Sequence, residues 1–141
     1  MKKIAIFGIL FVLISCGSNT VKKTDKPLYE ILTQQEDGGA HILFFEILSE
    51  DREIKMLLND DNLKKKISPN DIATCNFIIL NMGEKNAKGY APVIENIEET
   101  TDKIIITIRE QQPKIIDYTN PVFVYPYAIV KINSKKEIVI K

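Results

Sequence analysis

The chain has 141 residues, 45% of them hydrophobic and 27% charged, with 19 basic residues against 19 acidic ones. That length suits one domain around a single core, and a net charge of zero leaves no electrostatic footprint for nucleic acid. One His and two Cys are too few for a dedicated His/Cys zinc site, so neither metal nor cofactor is expected.

The N-terminus opens with Lys2 and Lys3, followed by an apolar run over 4–14 and the small Ser15. A basic start, a greasy stretch too short to span a bilayer and a small residue at the cut describe a secretory leader over 1–15. Leu13-Ile14-Ser15-Cys16 resembles the lipobox of bacterial lipoproteins, whose cysteine thiol receives a diacylglyceryl group and becomes the mature N-terminus. The resemblance implies that Cys16 is the lipidation site. The alternative is an ordinary secretory leader with a cysteine after its cut. Each buried methylene contributes about 0.8 kcal/mol to attachment, so two or three acyl chains hold a protein on a membrane. Loss of Lys2 and Lys3 with the leader leaves 17 basic residues against 19 acidic ones. Residues 16–27 are polar and aperiodic, a tether with an end-to-end distance of roughly 15–20 Å. The expected location is the bacterial envelope, with a domain over 28–141 facing the periplasm or the cell exterior.

Apolar segments over 28–34 and 41–48 flank Glu36-Asp37-Gly38-Gly39, a pattern that predicts a β-hairpin. The second of these segments is apolar on both alternating faces and is expected at the centre of a sheet or sandwiched. His41, at its start, reads as a surface histidine. Ser49 is placed to cap a helix, with Glu50 and Asp51 in its first turn and Ile54, Leu57 and Leu58 on one face. Asn59-Asp60-Asp61-Asn62 lacks the spacing of a calcium loop, and Lys64-Lys65-Lys66 reads as a solvated loop face. Strands follow over 72–82, 90–97, 103–109, 122–132 and 136–140. Pro92 and Pro126 belong at an edge, a strand start or a bulge. The expected fold is mainly β (α+β), an antiparallel β-sandwich or half-barrel with one short helix.

Four pieces of the chain carry a family likeness. They are Asn76-Phe77-Ile78-Ile79, Gly89-Tyr90-Ala91-Pro92-Val93-Ile94, the strand at 103–110 with Pro113 after it, and Pro126-Tyr127-Ala128-Ile129-Val130-Lys131-Ile132. In order and spacing, the segment 72–132 resembles the C-terminal domain of the PrcB family, named for a lipoprotein subunit of a bacterial surface protease complex. Asn76 stands where the family has an acidic residue, and Lys88 replaces the first glycine of its Gly-Gly-Tyr strand. The resemblance implies a non-catalytic accessory subunit that holds, matures or modulates a partner protein, such as a secreted or surface protease.

Catalytic constellations are hard to assemble from these residues. Hydrolases built on Ser or Cys need a base, and the one imidazole sits beside a turn. Cys75 lies in an apolar segment and reads as a small buried hydrophobe. Paired carboxylates need no motif, so Glu46, Glu95 and Asp117 stay open for an envelope hydrolase, and a small-ligand-binding lipoprotein is the other rival. Interface chemistry points to Lys88, Gly89, Tyr90 and Tyr118. They lie in or beside the loop 86–89 and the Pro-bounded turn 117–121, and Tyr offers a rigid apolar ring with a polar tip. Turn packing is the competing role for both tyrosines. One of Tyr125 and Tyr127 is expected to face inward.

Overall fold

Ile- and Val-rich segments separated by turns pair into two sheets in the computed structural model, which describes residues 26–141. The leader, Cys16 and the tether up to residue 25 lie outside the described residues. The elements are β1 (Tyr29–Gln35), β2 (Leu43–Leu48), α1 (Asp51–Leu57), α2 (Pro69–Thr74), β3 (Asn76–Met82), β4 (Ala91–Glu99), β5 (Lys103–Gln111), β6 (Tyr127–Ile132) and β7 (Glu137–Ile140). One sheet has the order β1-β6-β3-β2, the other β4-β5-β7. All pairs are antiparallel except β5 with β7. The architecture is the sandwich form of the expected α+β fold and not a closed barrel, with two short helices where one was expected and one parallel pair among the antiparallel ones.

Period-two alternation sets the layers. On β3, Phe77 packs with Ile54 and Leu57 of α1, whereas Ile78 and Leu80 pack with Ile104 and Ile106 of β5. On β6, Ile129 joins the first group and Val130 and Ile132 the second. Burial on both faces explains why these strands read as nearly unbroken apolar runs. Pro92 lies on β4, an edge strand, and Pro126 immediately precedes β6, as a residue without an N–H requires.

Four local expectations are corrected. First, β1 and β2 do not form a hairpin; they occupy opposite edges of the larger sheet. The turn chemistry at 36–39 is used against another chain segment: Asp37 accepts the Tyr125 N–H at 3.0 Å, and Gly39 donates to the Tyr125 carbonyl at 2.8 Å. A Cβ on Gly39 would meet that carbonyl at 2.7 Å, so only glycine allows the crossing. Second, β2 is therefore an edge strand, not a central one. Third, the first helix is capped at Glu50, one residue after Ser49, with Glu53 accepting both the Ser49 and Glu50 N–H groups. Fourth, residues 72–74 are helical. Ser68, Pro69 and Asp71 start α2 through a reciprocal capping box, and β3 begins only at Asn76.

The connections differ from expectation in smaller ways. Lys64, Lys65 and Lys66 are exposed as expected, but Lys66 also donates to the Leu32 carbonyl, beside the β1 bulge between Ile31 and Thr33. Asp60 accepts the Asn62 and Leu63 N–H groups, closing a turn that buries Leu63. The strand expected over 122–132 begins at Tyr127, because residues 122–126 bridge to another loop.

Candidate protein-binding face

Two loops meet beyond the ends of β3 and β6. One runs over 83–90, the other over 112–126. Lys85 and Val124 exchange backbone hydrogen bonds at 2.8 and 2.9 Å, and Met82 donates to the Pro126 carbonyl at 2.9 Å. At the other end Gly89, with φ of +99°, lies against Pro113, whose Cβ would stand 3.0 Å from any Cβ added there. The longer loop is thus held at both ends, and the arc between them projects outward.

That arc carries large apolar side chains in water. Ile115 is 86% exposed, Tyr118 74%, Phe123 57% and Val122 45%. Single exposed apolar residues are ordinary, but four on one short arc form the kind of surface that partners cover. The turn between them is internally braced, since Asp117 Oδ1 accepts the Thr119 N–H at 2.9 Å and its hydroxyl at 2.6 Å. Those hydrogen bonds hold the Asp117 carboxyl below its ordinary value. A shallow groove between the loops is lined by Asn86, Ala87, Lys88, Ile115, Asp117 and Val122. A cation and a carboxylate on an apolar floor can recognise a mixed polar and apolar segment.

The structure brings Lys88 together with the 115–122 arc, but places Gly89 and Tyr90 on another groove with Gln34, Gln35 and Gln111. Tyr90 is half-buried, with Lys85 Nζ 5.3 Å from its ring centroid. Lys85 is itself paired with Glu110. Tyr118 is fully in the open. Of the other aromatic pair, Tyr127 packs on the core, while Tyr125 donates its hydroxyl to Glu84 at 2.9 Å, with the His41 ring 4.4 Å away edge-on. The bond to Glu84 raises the Tyr125 phenol pKa. His41 itself lies at the surface, 3.7 Å from the same Glu84 carboxylate.

Ile115, Val122 and Phe123 were invisible as surface residues in the sequence because Val122 and Phe123 read as strand. For Ile115 the usable signal is the bracket of Pro113 and Pro121, between which the apolar residues do not alternate as a strand requires; Val122 and Phe123 lie beyond it. The three carboxylates open for hydrolysis lie on separate elements. Glu95 pairs with Arg109 at 3.4 Å and Asp117 braces its own turn. Glu46 shares a shallow groove with Glu53, whose Oε2 is already committed to capping α1.

Residues 76–133 match the family model described as PrcB C-terminal, in agreement with the likeness over 72–132. The match spans β3 to β6 and contains both loops of this face. No curated protein and no solved structure gives a match.

Proposed function

We propose that the chain is a non-catalytic accessory subunit, anchored through lipid on Cys16 in the bacterial envelope, that binds a partner protein through the 113–123 arc and Lys88. The carrying observation is the set of four exposed apolar side chains on a loop fixed at both ends. Its place inside the segment that matches PrcB C-terminal supports a partner of the kind that family's name implies, a secreted or surface protease. A fixed loop loses little entropy on docking, so its apolar area goes further toward affinity.

The test is affinity purification of the acylated protein from its own membranes in mild detergent, comparing wild type with Tyr118→Ala and Ile115→Ser. Wild type is expected to bring down a protease in fixed ratio. The two variants should lose it while melting at the same temperature. Cys16→Ala should release the protein from the membrane fraction or leave its leader uncut. A wild-type protein that is repeatedly solitary, or a capture indifferent to both loop substitutions, would overturn this reading.

A further inference from the structure

Three of the four sheet edges carry their own protection against pairing. β1 has its bulge, β4 has Pro92 and a bulge between Ile94 and Asn96, and β7 is only four residues long. β2 has none of these. Its six residues run in unbroken register with β3, and along its outer side every second N–H and C=O has no strand to meet among the described residues. Leu43, Phe45 and Ile47 are 61%, 37% and 36% exposed. They stand opposite Met82, Leu80 and Ile78, on the face that Leu80 and Ile78 bury against the second sheet. The three-stranded sheet does not reach far enough to cover β2, so the row of core-facing side chains continues into solvent.

The geometry points to a second copy of this chain as the occupant, its β2 antiparallel to this one about a two-fold axis through Phe45 and perpendicular to the sheet. Around Phe45 the strand is self-complementary. Phe45 meets its own counterpart, Leu43 meets Ile47, and Ile47 meets Leu43, giving one apolar row across both copies. On the opposite face Phe44 meets Glu46, which keeps the two Glu46 carboxylates apart; an axis through Glu46 would set them directly against each other. Within one copy, Glu46 enters no ion pair among the described residues. Met56, 67% exposed, lies on that same opposite face, in a shallow groove with Glu46, Leu48 and Leu57. The product is one continuous eight-stranded sheet.

The test uses the full chain with Cys16→Ser, so that buried Cys75 is the remaining thiol. Sedimentation equilibrium should give twice the 16.1 kDa of one chain, and Phe45→Lys or Leu43→Lys should return it to one copy that still unfolds cooperatively, with a melting temperature that no longer depends on protein concentration. Phe45→Cys should form a disulfide-linked dimer on mild oxidation, whereas Glu98→Cys, exposed on β4, should not. A single-copy mass at every soluble concentration, a dimer that survives both lysine variants, or equal linkage at 45 and 98 would overturn the proposal.

Discussion

Asn81 grips Ala40 by both ends of its amide: its Oδ1 accepts the Ala40 N–H at 2.8 Å, and its Nδ2 donates to the Ala40 carbonyl at 2.9 Å. The same Nδ2 also donates to the Ile42 carbonyl. Asn81 is 2% exposed and sits near the end of β3, so one side chain supplies the polar partners for the segment that carries the chain from one sheet edge to the other. Removing it strands a donor and two acceptors. Asn81→Ala is expected to cost about 2–3 kcal/mol, read as a lowered denaturant midpoint with unchanged slope. A variant as stable as wild type would show that the crossing is held by Gly39 and Tyr125 alone.

A second expectation concerns pH. Lys131 Nζ lies 3.0 Å from Glu30 and 3.6 Å from Asp71, and both Lys131 and Asp71 are buried. Burial opposes the Asp71 charge, but hydrogen bonds with Ser68 and the Lys131 charge outweigh it and hold the carboxyl below its ordinary 3.8. Burial likewise opposes the Lys131 charge, yet Glu30 and Asp71 raise its pKa above 10.5. A depressed carboxyl contributes stability above its unfolded pKa that is lost as pH falls through the folded one. A raised amine contributes stability below its unfolded pKa that is lost as pH rises through the folded one. Melting temperature should therefore hold its value between these limits and fall at both ends. Asp71→Asn should cost about 2–4 kcal/mol near neutrality, and the gap to wild type should close below pH 3.8. A gap constant down to the acid end would remove the ion pair from the account.

How legible the molecule is from its residues follows from what each signal measures. Strands β3 and β6 are plain because burial leaves few polar positions in them, β5 is plain from its run of β-branched residues over 104–108, and the buried face of α1 is plain because Ile54 and Leu57 fall at helical spacing. Asp37-Gly38-Gly39 is a local signal for a turn but carries nothing about which segment the turn will touch, and Tyr125 lies far along the chain. β2 reads as central because apolar residues on both faces predict cover; how far the second sheet reaches is a tertiary fact. α2 was readable in principle from Ser68, Pro69 and Asp71, but the Ile72-Ala73-Thr74 that follow continue an apolar strand pattern. At the candidate site, loop position alone singled out Lys88 and Tyr118. Ile115, Val122 and Phe123 needed the structure, since apolar residues are expected inside until a fold leaves them out.

The third expectation concerns the buried thiol. Cys75 is 3% exposed where α2 hands over to β3, with Thr74 Oγ1 at 3.6 Å, Asn133 Oδ1 at 3.5 Å and Asp71 Oδ1 at 3.8 Å. Burial pushes its pKa above 9.0, the Asp71 carboxylate adds to the rise, and the Thr74 hydroxyl opposes it. The thiolate is the reactive form, so a thiol that is both hidden and protonated should resist attack. In acylated protein an aromatic disulfide reagent should label Cys75 only as fast as the domain opens, and one equivalent should react at once in denaturant. Because its packing rather than its chemistry matters, Cys75→Ala should cost about 1–2 kcal/mol and Cys75→Val less. Reductant should leave the melting temperature of wild type unchanged. Rapid labelling of the folded protein at neutral pH would show that Cys75 is a reactive group rather than part of the core.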